Sequence, residues 1–176
     1  MTTNIAVLIA VLALFYPFMS VFEWTIHRYL MHRKSFPAFM YRWFPTLNYT
    51  LEAHRHFHHG QCFREDFHHD DKLPCNLFNL TLDLQWIPMI LVCGLMWLVS
   101  PAGSIAFFVL VYVHHALWGY IHSEMHIPGS HWWVPYLPFW KALHDHHELH
   151  HVQPGTNYNI IFLGCDWLFG TRAKVN

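Results

Sequence analysis

Charge is what this sequence lacks. Asp, Glu, Lys and Arg supply 12% of its 176 residues, against 54% hydrophobic and 18% aromatic. That balance is apolar for a soluble domain of this size. The shortage is concentrated: residues 1–22 contain no Asp, Glu, Lys or Arg, and neither does the stretch from Leu84 to Ser123. No basic block or helix-turn-helix spacing occurs, which argues against a nucleic-acid partner. No G-x-G-x-x-G stands among the eight glycines, so the dinucleotide fingerprint is missing. The four cysteines, Cys62, Cys75, Cys93 and Cys165, form no C-x-x-C pair. They read as reduced, unpaired thiols used as small apolar residues. No repeat or linker interrupts the chain, so residues 1–176 are expected to form one domain.

The two uncharged stretches have membrane-spanning length. Ile5 to Phe22 is apolar except for Ser20, and as a helix it reaches ~27 Å, enough for a bilayer core. No basic segment precedes it and no small-residue cleavage site follows, which favours a retained span over a signal peptide. The second stretch would measure ~60 Å as helix, about two crossings. Ser100-Pro101-Ala102-Gly103-Ser104 marks a turn near its middle. The expectation is a helical hairpin over 85–100 and 104–121. All ten Lys and Arg lie within 28–72 or 141–174, so the positive-inside rule places 23–84 and 122–176 in the cytoplasm and the N-terminus outside. Two segments rich in Pro and aromatics, 35–50 and 131–140, read as interfacial.

What the chain has in excess is histidine, 18 residues, gathered in four clusters. His27 and His32 follow the first span with H-x4-H spacing. In an ideal α-helix they sit ~140° apart, so they must flank a site from two sides or the helix must distort. Glu23, one turn before His27, is placed to accept its second ring N–H. The second cluster is His54, His56, His58 and His59, with His54 and His58 on one helical face. His68-His69-Asp70-Asp71 follows and reads as a solvated polar run. The third is His122 and His126, one turn apart, with His115 deeper on the same stripe. The fourth is His147, His150 and His151, at i, i+3 and i+4. His144 extends that face and His146 points away. Four clusters at helical spacing, all on one side of a membrane, point to metal binding. Neutral imidazole is the commonest metal ligand. About ten candidate nitrogens exceed what one tetrahedral zinc requires. Imidazole alone does not separate iron from zinc or copper.

The ordered set resembles the fatty acid hydroxylase / sterol desaturase superfamily: H-x4-H, a His-His pair, a membrane hairpin, H-x3-H, then H-x2-H-H. The tail agrees, with Asn157-Tyr158 and then Asp166-Trp167-Leu168-Phe169-Gly170-Thr171. The likeness runs from Glu23 to Thr171. Two positions depart from it. Arg55 stands inside the usual second H-x2-H-H, leaving His54 or His56 as its first ligand, and Cys165 replaces the usual Trp before Asp166. The resemblance implies an all-α integral membrane protein of about three transmembrane helices, one single span plus a hairpin. A cytosolic helical cap would hold a dimetal site. It implies the ligand set His27, His32, His54, His58, His59, His122, His126, His147, His150 and His151, with Glu23, His115, Glu124 and Asp145 as candidates to support them. It further implies two iron ions (zinc can occupy the same ligands), O2, and an external donor, a ferredoxin or cytochrome b5 with its reductase. The implied reaction is hydroxylation of a membrane lipid (acyl chain, sphingolipid or sterol), in a bacterial inner membrane or endoplasmic reticulum. Desaturation on the same scaffold is the near alternative, and a membrane metal-binding or transport protein the distant one.

Overall fold

The computed structural model describes residues 2–63, 67–68 and 82–173. Every regular element among them is helical. Helix α1 (Thr2–Ile26) runs without a break into a π-helical turn, His27–Met31. Short helices α2 (Ala38–Trp43) and α3 (Pro45–Leu51) follow, and α3 continues into a second π-helical segment, Glu52–Cys62. Next come α4 (Leu82–Val99), α5 (Pro101–His126), a 3-10 turn at Val134–Tyr136, α6 (Trp140–Val152) and α7 (Gly164–Leu168).

Two helices are long and apolar enough to cross a membrane, Ile5–Met31 and Pro101–His126; the apolar part of α4, Trp86–Val99, is shorter. Both arms of the expected hairpin are helical. The second is longer than expected, because the helix continues past 121 to carry His122 and His126. The α4–α5 turn is tight. Ser100 caps α5 by accepting the Gly103 amide at 3.1 Å, and Pro101 occupies the first turn.

Helix α5 packs against both α1 and α4. Val11, Met19, Met89, Phe107 and Val111 are buried between them. A Cβ on Gly103 would lie 2.7 Å from a Val7 methyl, so glycine is what permits the close approach of α1 and α5. The outward faces are apolar too: Leu14, Leu98 and Val99 are 63%, 82% and 73% exposed. An apolar outside around an apolar inside suits lipid rather than water. A second core, Trp118, Ile121, Met125, Val134, Leu143 and Ile160, joins the end of α5 to α6 and the C-terminal segment. Exposed aromatics cluster at Phe39, Trp43, Phe44 and Tyr49, and at Trp132, Tyr136 and Phe139, the segments read as interfacial.

The cysteine reading is corrected in one place. Cys93 and Cys165 are free thiols, but Cys62, at the end of the second π-helical segment, is disulfide-bonded. Chain spacing could not show this, because a disulfide depends on proximity in space. Cys75 lies outside the described residues, as do His69, Asp70 and Asp71.

Candidate metal centre

The π-helical segments resolve the spacing problem of the first two clusters. In an α-helix residues five apart diverge, whereas i→i+5 hydrogen bonding returns the fifth residue over the first. The His27 and His32 rings accordingly lie 5.0 Å apart, centroid to centroid. In the second segment the wider turn brings both His58 and His59 against His54, at 5.0 and 4.9 Å. The other clusters stand on regular α-helix, where i+3 and i+4 share a face. His122 and His126 are 4.9 Å apart, and His147 and His151 are 4.8 Å apart.

These clusters interleave into two groups. One is His27, His32, His54, His59 and His150; the other contains His58, His126, His147 and His151. His122 joins the second through its Nε2, 2.9 Å from that of His147. Each adjacent doublet is split. His58 and His59 face different groups, and so do His150 and His151. The doublets therefore hold the two groups side by side. All ten expected ligands are drawn into these groups. His54 rather than His56 belongs to them: His54 is buried, while the His56 side chain is 58% exposed and lies 3.8 Å from Glu52.

The donor set fits metal ions. In the first group Nε2 atoms converge on one another: His27 to His54 at 2.9 Å, His32 to His150 at 3.0 Å, His54 to His32 at 3.1 Å and His59 to His54 at 3.2 Å. In the second, His126 Nε2 lies 3.0 Å from His147 Nε2. At metal–nitrogen distances of ~2.0–2.1 Å, ligands at right angles are about 2.9 Å apart and tetrahedral ones about 3.4 Å. The observed separations, 2.9–3.2 Å, lie between the right-angle and tetrahedral values, so both arrangements are within reach. A proton can bridge one such pair but not a ring of five converging nitrogens. A cation can satisfy them all.

Protonation is also disfavoured. Burial, reinforced by neighbouring imidazoles, holds His32, His54, His58, His147, His150 and His151 well below the ordinary histidine range. The same causes, burial first and then His27 and His126, hold His59 at about 3. The rings are thus neutral and available as ligands.

Several outward nitrogens are tied to backbone. His27 Nδ1 donates to the Tyr158 carbonyl at 2.5 Å, His150 Nδ1 to that of Thr156 at 2.6 Å, and His126 Nδ1 to that of Phe67 at 2.9 Å. With the proton on Nδ1, the lone pair is on Nε2, aimed at the group. The Asn157-Tyr158 tail thereby acquires a physical role. Asp166 anchors it, accepting from the Tyr158 and Asn159 amides at 2.9 and 2.7 Å, Thr171 Oγ1 at 2.6 Å and His146 Nε2 at 3.0 Å. Burial alone would raise the Asp166 pKa, but these donors hold it below the usual carboxylate range. Asn157 spans the same junction, donating to the His146 carbonyl and accepting from the Ala173 amide.

The expected supporting residues do other work. Glu23 does not take the His27 ring proton; its oxygens receive Asn159 Nδ2 at 3.2 Å and the Ile161 and Phe162 amides, binding α1 to the tail. A backbone carbonyl has that position instead. Glu124 closes the turn after α5, accepting from Gly129 N, Ser130 Oγ and His131 N. Asp145 pairs on the surface with Lys141 at 2.5 Å. With His144 and Glu148 it forms a third, more exposed group apart from the ten histidines. His115 is buried below them, in the wall of a small cavity that reaches His27. His146 is no member of either group, as expected; it is the partner of Asp166. Sequence reasoning missed Asp166 and the Thr156 and Tyr158 carbonyls. The conspicuous tail was their signal, but carbonyls are common to every residue and leave no mark of their own.

A scan against family models, a search of curated proteins and a search of solved structures each returned no match to this chain.

Proposed function

We propose that this chain is an integral-membrane, histidine-ligated diiron oxygenase that hydroxylates a membrane lipid. The observation that carries the reading is the pair of imidazole groups, five rings each, joined through His58–His59 and His150–His151. Iron is favoured over structural zinc because the ligands are nitrogen only and exceed four per group. His27, His32, His54, His59 and His150 hold one ion; His58, His122, His126, His147 and His151 hold the other.

When bound, the iron pair supplies O2 activation for inserting one oxygen atom into an unactivated C–H bond. The balance is R–H + O2 + 2 electrons + 2 protons giving R–OH + H2O. A ferredoxin or a cytochrome b5 with its reductase supplies the electrons. The protein's part is positional. Tyr158 and Thr156 orient two ligands, Asp166 holds the tail that presents them, and the apolar body of α1, α4 and α5 delivers a lipid and excludes water. The ten-to-zero distribution of Lys and Arg supports a site on the cytoplasmic face, with the N-terminus outside. The Cys62 disulfide is more typical of an oxidising compartment, whereas all ten Lys and Arg lie in the segments that carry the histidine groups.

The test is mass spectrometry of membrane lipids from iron-replete cells that express either the wild type or His150→Ala, with an electron donor supplied. A lipid that gains one oxygen only with the wild type supports the reading. Loss of two hydrogens would replace it with desaturation. Equal lipid profiles, with both proteins inserted and the wild type iron-loaded, would overturn it in favour of metal binding or transport.

A further inference from the structure

Two cavities lie end to end along α1. The upper one is narrow, about 30 Å³, and is walled by Met19, Phe22, Ile26, His27, Met31 and Trp118, with Glu23, His114 and His115 adding polar edges. It reaches the His27 ring from the membrane side. The lower one, about 300 Å³, lies between α1, α4 and α5 and is lined almost entirely by apolar side chains, among them Val7, Val11, Phe18, Met96 and Phe107. Phe15 stands at the junction. It lines the lower cavity, and its ring is 6.2 Å from Phe107 and 6.1 Å from His114, which borders the upper one.

From these positions we infer that one long acyl chain occupies both cavities, with the carbon to be oxidised beside His27, and that Phe15 decides how much tail can pass below. The inference rests on the lipid-hydroxylase reading. Three observations support a chain rather than a compact ligand. The two spaces follow one helix for about 30 Å, from His27 to Val7. Among the described residues that line it, the lower space has no polar side chain to offer a headgroup. It also opens sideways, since Leu14 and Phe18 on its rim are 63% and 37% exposed while Val11 and Phe107 at its floor are buried. Entry would therefore come from the bilayer. At about 30 Å³ the upper neck is too small for an acyl chain as it stands, and it must open by repacking of Met19 and Met31, unbranched side chains on its border.

Twelve residues separate His27 from Phe15, about 18 Å of helix. A zigzag of ~1.5 Å carbon–carbon bonds advances about 1.25 Å per carbon, so Phe15 lies about 14 carbons beyond the oxidised position. Phe15→Trp should restrict product to tails shorter than that, and Phe15→Ala should shift it several-fold toward longer ones.

The experiment has two readouts. Lipid mass spectrometry compares product chain lengths for the wild type, Phe15→Ala and Phe15→Trp. Separately, a long-chain fatty acid with a diazirine at its tail end is photo-crosslinked to each purified protein and the labelled peptides are mapped. Labelling at Val11 and Phe107 in the wild type, lost with Phe15→Trp and accompanied by the shift in product length, is the expected result. An unchanged length profile in variants with wild-type metal content would overturn the inference. So would labelling spread over the outward faces, such as Leu12 and Leu98, and indifferent to Phe15, since that describes ordinary surrounding lipid. If the wild type makes no oxygenated lipid, the hydroxylase reading fails, while the crosslinking pattern still decides whether a chain lies in the groove.

Discussion

The two histidine groups use the same ring but are held by different means. In the first, His27 and His150 are fixed from behind by the Tyr158 and Thr156 carbonyls, on a tail that Asp166 anchors. In the second, only His126 has such a carbonyl, from Phe67. Among the described residues the Nδ1 atoms of His58, His122, His147 and His151 have no hydrogen-bond partner, and in the first group that is so of His54. These rings are positioned by packing instead: Phe63 lies 4.8 Å from His58, and Trp118 lies 4.6 Å from His122. Backbone hydrogen bonds set a tautomer and a direction before any metal arrives, whereas ring packing sets position and leaves the tautomer open. The first group is therefore preorganised at two of its rings and the second at one, so the second should depend more on whichever cation it binds.

The largest expected effect comes from removing a ligand. On the proposed diiron hydroxylase reading, His54→Ala, at the centre of the first group, should lower product formation at least 100-fold and remove about one iron per chain, read by lipid and elemental mass spectrometry; His147→Ala should do the same to the second. Next is Asp166→Ala. It leaves two buried amides and His146 without their acceptor, which at ~1–3 kcal/mol for each orphaned group should cost about 3 kcal/mol or more. A thermal-denaturation series in detergent measures it. If the first group loses no more iron than the second in this variant, the tail is not what distinguishes them. A third test is graded chelation. Supporting residues typically change metal affinity 10–100-fold, so the second group's ion should be stripped at roughly ten-fold lower chelator than the first, and His27→Ala, which discards one carbonyl-oriented ligand, should narrow that gap.

The pH response should be smaller, and its sign follows from the buried neutral rings. His59 titrates at about 3 in the folded protein against 6.5 when free. The unfolded chain therefore binds protons first, and metal-free protein should lose stability as pH falls from about 6.5 toward 3. Asp166 adds to this lower down, because its depressed pKa stabilises the fold above the free carboxylate value of 3.8 and fails below it. Denaturation midpoints between pH 7 and 4 check the slope; flat midpoints would mean that the rings are less buried than described. The smallest effect belongs to His56→Ala, which should leave iron content and product unchanged within error, because that ring lies outside both groups.

Much of this was legible in the residues. The uncharged runs located the long helices, because a span must be apolar over its full length whatever it packs against. The i, i+3, i+4 pattern of His147, His150 and His151 located a ligand face because α6 is a regular helix. His27 and His32 were harder. Regular helix geometry sets them apart, and their meeting requires a π-turn that side-chain periodicity does not announce. Glu23 misled for a related reason. Its spacing to His27 suited a local hydrogen bond, but the tail, more than 130 residues away in sequence, offered it amide donors and offered His27 a carbonyl.

The supply of imidazole was decided by the chain alone: histidines in four clusters, with thiols too scattered to compete. So was the apolar character of the helices that carry them, since composition does not change on folding. Which histidine joins which group was decided only in three dimensions. Neighbours such as His58 and His59, or His150 and His151, part company because successive side chains on a helix point in different directions, and each finds partners from other helices. The supporting carbonyls, the junction at Phe15 and the role of Asp166 belong to that second kind, because each exists only where segments far apart in sequence are packed together.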